Sequence, residues 1–146
     1  MASEVEQFLD KKDEEAIIDA IRTAESVTSG EIRVHLERGE VEDAFGRAKV
    51  LFHELKMDNT KEENGVLLYV AVTAHKFAIL GDRGINKVVP PDFWESTKEI
   101  MQSHFKQRKF KDGLVAGITK AGEKLAQYFP WQDNDVNELP DDISTS

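Results

Sequence analysis

The sequence predicts an α/β fold: an α/β/α sandwich with a mixed central sheet and helices on both faces. Three observations lead there. Apolar residues recur at three- and four-residue steps in four segments, they alternate or run unbroken in three shorter ones, and the two kinds interleave as helix, strand, helix, strand, strand, helix, helix.

From Asp13 to Thr28, the residues Ile17, Ala20, Ile21, Ala24 and Val27 form one apolar stripe, and Asp13, Glu14 and Glu15 suit a positive helix N-terminus. Ser29 and Gly30 break this helix. Glu31 to Glu37 then alternates, with Ile32, Val34 and Leu36 on one side and Arg33, His35 and Glu37 on the other, as in a strand covered on one face. Val41, Ala44, Phe45, Ala48, Leu51, Phe52 and Leu55 predict a second amphipathic helix over about 41–55, crossing the sheet. After the polar loop Asp58–Asn64, the run from Gly65 to Val72 is nearly all apolar, which predicts a central strand buried on both faces.

Thr73, Ala74 and His75 are too short a connection for a helical crossover, so Lys76–Leu80 is expected to return antiparallel in a hairpin. Gly81-Asp82-Arg83-Gly84 reads as a turn, and Asp92, after Pro90 and Pro91, as the N-cap of a helix carrying Phe93, Trp94, Met101 and Phe105. A last helix starts near Asp112, places Leu114, Val115, Ile118, Ala121, Leu125 and Phe129 on one side, and stops at Pro130. Gly117 and Gly122 permit close helix packing.

The 146 residues have room for one domain, assigned to 1–130, followed by an acidic tail over 131–146 that is either mobile or docked through Trp131, Val136, Leu139 and Ile143. The longest apolar run, Val66–Ala74, is about half of the roughly 20 residues a spanning helix needs, so no integral membrane segment is expected. Met1-Ala2-Ser3-Glu4 lacks a basic region leading into an apolar stretch, and a cytoplasmic location is expected. The absence of Cys excludes disulfides and thiolate chemistry. A net charge of −9 without any basic stripe argues against nucleic acid and anionic membranes as partners.

Topology supplies the candidate site. Two parallel strands joined by a crossover start at the same end of the sheet, and the hairpin's return strand finishes there. Glu31, Glu63, Asn64 and Asp82 should therefore meet at one edge. Clustered carboxylates and an amide oxygen suit a hard divalent cation, calcium or magnesium. Without a cation the same residues are ordinary exposed turn residues. Asp133, Asp135 and Asn137 imitate the start of an EF-hand loop, but Glu138 replaces its glycine and Ser144 its bidentate Glu.

His35, His53, His75 and His104 lie on separate elements with no HExxH spacing, and each reads as a surface or packing residue. His35 and Glu37 share a strand face and could pair. Gly81 and Gly84 are ordinary turn chemistry before they are a phosphate cradle. Neither a GxSxG elbow nor a P-loop is present, and no residue is assigned a catalytic role.

The segments Ser29-Gly30-Glu31-Ile32-Arg33-Val34, Asn64-Gly65-Val66-Leu67-Leu68-Tyr69-Val70-Ala71, Gly81-Asp82-Arg83-Gly84-Ile85 and Gly113-Leu114-Val115-Ala116-Gly117-Ile118, in this order, resemble the TPM domain. That family is named for a thylakoid lumen protein, a photosystem repair protein and a receptor modulator. The resemblance covers roughly residues 12 to 130. It implies an α/β/α sandwich, divalent cation binding in some members and phosphatase activity in plant members. Glu31, Asn64 and Asp82 stand within matching motifs, whereas Thr73, Ala74 and His75 replace the acidic residues that many relatives carry after the central strand. The leading expectation is a non-enzymatic module that binds a cation weakly and meets a protein partner at the same edge. A metal-assisted phosphatase and a ligand-free scaffold are the alternatives.

Overall fold

The first helix begins earlier than its apolar stripe suggests, because its first turn is closed by a capping box. In the computed structural model, which describes residues 9–131 and 143–146, Asp10 Oδ1 accepts from the Asp13 amide at 2.8 Å and Asp13 Oδ2 from the Asp10 amide at 3.3 Å. Helix α1 therefore spans Lys11–Glu25 and buries Ile17, Ile21 and Ala24. Val27, expected on that stripe, lies beyond the helix and is exposed. Buried Glu25 ties the helix to the sheet, its Oε2 accepting from the Ile32 amide at 2.9 Å.

Strand β1 (Glu31–Glu37) and strand β2 (Gly65–Ala71) pair in parallel, Glu31 opposite Gly65 and Glu37 opposite Ala71. Between them, helix α2 (Ala44–Glu54) starts three residues later than its apolar pattern, at the N-cap Asp43, whose Oδ1 accepts from the Gly46 amide. Phe45, counted on the buried stripe, is instead exposed beneath Lys49, whose Nζ lies 4.8 Å from the ring centre. Strand β3 (Lys76–Gly81) returns antiparallel to β2, as the short connection requires.

Asp82 caps a single helical turn, α3 (Arg83–Asn86), where the sequence suggested a plain turn. Helix α4 (Glu95–Lys106) begins two residues later than a cap at Asp92 would place it. Trp94 holds the N-cap position and Asp92 offers only its backbone carbonyl, to the Glu95 amide. Helix α5 (Phe110–Ala126) lies against α1 and α4, with Gly122 facing Ala24 and Gly117 facing Met101. A fourth strand, β4 (Ser144–Thr145), was not anticipated. It pairs in parallel with the outer edge of β1, completing the order β3-β2-β1-β4.

The tail thus docks by backbone pairing at its end, with Ile143 partly buried and Trp131 exposed. Val136 and Leu139 lie outside the described residues, as does the EF-hand-like stretch 133–138. Helices α1, α4 and α5 bury one face of the sheet with Ile32, Val34, Leu36, Val66 and Leu68, and α2 buries the other with Leu67, Tyr69 and Ala71. The architecture is an α/β/α sandwich around a mixed sheet. Strand β1 is covered on both faces rather than one, so the alternation of Arg33, His35 and Glu37 does not mark a solvent face.

Gly84 fixes the loop at the open edge. A Cβ there would stand 2.2 Å from the Glu62 carbonyl oxygen and 2.6 Å from that of Glu63, backbone atoms that cannot swing aside. Gly84→Ala is expected to destabilise the protein by about 1–3 kcal/mol, measured as a lower denaturant midpoint. An unchanged midpoint would show that the 62–63 loop is free to shift.

Candidate functional site

The four residues expected at one edge do meet there through their backbones. The Glu31 amide donates to the Asn64 carbonyl at 3.2 Å, the Asp82 amide to the Gly65 carbonyl at 2.9 Å, and the Gly84 amide to the Glu63 carbonyl at 2.8 Å. Gly65, buried at the start of β2, stands between Glu31 and Asp82 in the sheet.

Side-chain pairing divides this group. Glu63 Oε1 accepts from the Arg83 guanidinium at 2.9 Å in an exposed pair. The Asn64 amide nitrogen donates to Ser29 Oγ at 3.3 Å and Glu62 Oε2 at 3.1 Å, and Ser29 Oγ donates to the same Glu62 oxygen at 3.0 Å. Asn64 therefore closes its own loop with Ser29, which stands in the first motif segment, and with Glu62, which lies in none of them. Glu31 is buried.

Asp82 differs from the others. Its Oδ1 accepts from the Arg83 amide at 2.7 Å, while its Oδ2 is buried without a hydrogen-bond partner among the described residues. Burial pushes its carboxyl above the usual range, the Arg83 amide opposes that, and the nearby Glu63 and Asp58 charges push the same way as burial. Among the described residues no three His, Asp or Glu side chains are arranged as a ready metal site. The turn at Gly81–Gly84 is no phosphate cradle, because the amides of Arg83, Gly84 and Ile85 already donate to Asp82 Oδ1, the Glu63 carbonyl and the Asp82 carbonyl.

A second polar cluster lies under α2 at the other end of β1. Glu37 accepts from Arg47 Nε at 2.9 and 3.1 Å, from Arg47 Nη2 at 2.8 Å, from the Tyr69 hydroxyl at 2.6 Å and from Ser146 Oγ at 2.8 Å. His35, 2% exposed and stacked on Tyr69, contacts Ser144 Oγ through Nδ1 and Ser146 Oγ through Nε2, both at 2.7 Å. Ser146 has one hydroxyl proton and gives it to Glu37, so it accepts from Nε2–H, while Ser144 Oγ donates to the Val34 carbonyl at 3.3 Å. His35 has its pKa held below the usual value, burial being the largest cause and the Glu37 charge opposing it. Its links to Glu37 run through the Ser146 hydroxyl and the stacked Tyr69, and the direct pair suggested by their shared face does not form. His53 binds Asp58 at the surface, and His104 Nδ1 lies 2.8 Å from the Ile100 carbonyl.

The Arg47 guanidinium leads the effects that hold the Glu37 carboxyl down at about 2, against 4.5 for an ordinary Glu, with burial opposing and Tyr69 and Ser146 assisting. A depressed folded-state value means that the stabilisation is complete above the unfolded value and is lost as pH falls toward the folded one. Between pH 4.5 and about 2, stability is expected to decline by roughly 2 kcal/mol in the native chain, Arg47 standing partly in water. Glu37→Gln should flatten that part of the curve in pH-dependent urea unfolding. An unchanged slope would remove Glu37 as its source.

The TPM domain family model matches residues 3–124. Among solved structures, the chain is similar to the BA42 protein of the psychrophilic bacterium Bizionia argentinensis, known from an NMR structure, with 58% sequence identity, a TM-score of 0.91, and coverage of 97% of this chain and 98% of that one. Comparison with curated proteins gives no match. With the family model spanning most of its length and all four motif segments placed in one sandwich, the chain belongs to the TPM domain family.

Proposed function

We propose that this TPM domain is a non-catalytic binding module that takes a calcium or magnesium ion weakly at the edge formed by Glu31, Glu63, Asn64 and Asp82, and presents that edge to a protein partner. The observation that carries the reading is Asp82 Oδ2, a buried carboxylate oxygen with no partner among the described residues, beside a second carboxylate, Glu63. A hard cation would satisfy that oxygen and remove the penalty of keeping the group charged. Binding is weak because Glu63 has to leave Arg83 to contribute, although an exposed ion pair of that kind is worth only about 0–1 kcal/mol. Exposed Arg83 and Glu62 give the same edge charges of both signs for a partner to read.

Calcium titration followed by backbone NMR is expected to shift residues 29–31, 62–65 and 82–84, with saturation on the order of a millimolar. Shifts spread evenly over the surface would remove the site. Asp82→Asn is expected to raise the thermal midpoint of the ion-free protein by an amount equivalent to about 1 kcal/mol, since the amide keeps the cap and loses the charge. The same change should abolish any rise in midpoint on adding calcium. A native midpoint indifferent to both ions would instead favour a ligand-free scaffold. Metal-dependent hydrolysis of an aryl phosphate that is lost on combining Asp82→Asn with Glu31→Gln would convert the reading to a phosphatase.

A further inference from the structure

At the opposite end of the sheet, the β2–β3 hairpin meets the end of α4 and the start of α5 around a cavity of about 410 Å³. Pockets for small organic ligands commonly measure about 300–1,000 Å³. The floor is apolar, made by Val70, Val72, Phe77, Phe105 and Phe110. The Phe105 ring meets Phe77 edge-on at 5.3 Å and Phe110 at 6.0 Å between centres, so three phenyl groups form one surface.

The rim is cationic. Lys106, Arg108 and His75 line it and are exposed, and no Asp or Glu lines it although the chain carries 28 acidic residues. Neither Lys106 nor Arg108 forms an ion pair with any described residue. Lys76 is already engaged, its Nζ donating to the Val41 and Glu42 carbonyls at 3.2 and 2.8 Å. His75 and Arg108 also adopt left-handed backbone, with φ of 56° and 59°. Glycine would avoid the strain of order 1–3 kcal/mol that such conformations carry, yet both positions bear cationic or ionisable side chains.

We propose that this cleft binds a small monocarboxylate with an aromatic or medium-chain aliphatic body. The body packs on the three phenyl rings, and the carboxylate meets Arg108 and Lys106 at the rim. A guanidinium fork matches a carboxylate in shape as well as charge. A single negative charge is favoured over a polyanion because the whole chain carries −9. The cleft shares no residue with the Asp82 edge, so either reading can fail alone.

The test is a backbone NMR titration of the full chain with 4-phenylbutyrate and, separately, with the uncharged 4-phenylbutan-1-ol, each up to about 10 mM. Saturable shifts confined to residues near 70–77 and 102–110 are expected, with the acid bound about fivefold more tightly than the alcohol. Arg108→Gly, which also suits the left-handed backbone, should remove most of that preference while preserving the fold. Gln102→Trp, at an exposed lining position, should block both probes by filling the cleft. Shifts that do not saturate, or that survive Gln102→Trp, would overturn the site. Equal binding of acid and alcohol to the native chain would overturn its anion preference.

Discussion

The constraint on which the structure depends is the burial of a polar strand face. On the face of the sheet that α2 shares, β1 carries Glu31, Arg33, His35 and Glu37 where an apolar row would be simpler, and three of the four are at most 7% exposed. A buried polar group left without partners costs about 1–3 kcal/mol, and a charge costs more. Glu37 avoids that through donors from three elements: Arg47 from α2, Tyr69 from β2 and Ser146 beside β4. Such a buried ion pair is weak evidence for net stability, because desolvation offsets much of the attraction. Its geometric consequence is firmer. Helix α2 and the C-terminal segment cannot shift along β1 without removing a donor from a carboxylate that water does not reach freely.

That same face shows where the sequence was legible and where it was not. The limits of β1, the buried run of β2 and the short hairpin to β3 followed from alternation, hydropathy and connection length, and all three stand. Alternation cannot tell solvent from a satisfied polar network, however, since both place Arg33, His35 and Glu37 on one side. The deciding partners lie far along the chain, Ser144 and Ser146 being more than a hundred residues from His35. A two-residue strand carries no period to detect. Helix ends were misjudged for a related reason. Asp10 and Asp13 act as a reciprocal pair, whereas Asp13 alone looks like a first-turn acid.

At the candidate edge, the sequence revealed convergence but not occupancy. Strand direction alone put Glu31, Asn64 and Asp82 together, and backbone hydrogen bonds join their strands. Which side chains were already engaged depended on rotamers and loop shape. Glu63, in a left-handed conformation with φ of 52°, turns to Arg83, and Asn64 turns to Ser29 and Glu62. Asp82 Oδ2, by contrast, is buried with no hydrogen-bond partner among the described residues. The cap and the unmet charge thus fall on different atoms of one carboxylate, since Oδ1 serves the backbone while buried Oδ2 has no partner among the described residues.

The two ends of the sheet consequently offer opposite chemistry on one rigid support. Strand β2 runs from Gly65, between Glu31 and Asp82, to the edge of the phenyl-lined cleft at Val70 and Ala71, a length of roughly 20 Å. Every residue of that strand is buried, with helices packed on both faces. A close-packed strand transmits little displacement unless some element along it has two alternative arrangements. Nothing in β2 supplies one, its pairing with β1 being in register from end to end. Coupling between the ends would therefore be electrostatic, and across this separation salt screens exposed charges within a Debye length of about 8–10 Å. A cation at Asp82 and a carboxylate at Arg108 would bind as independent events.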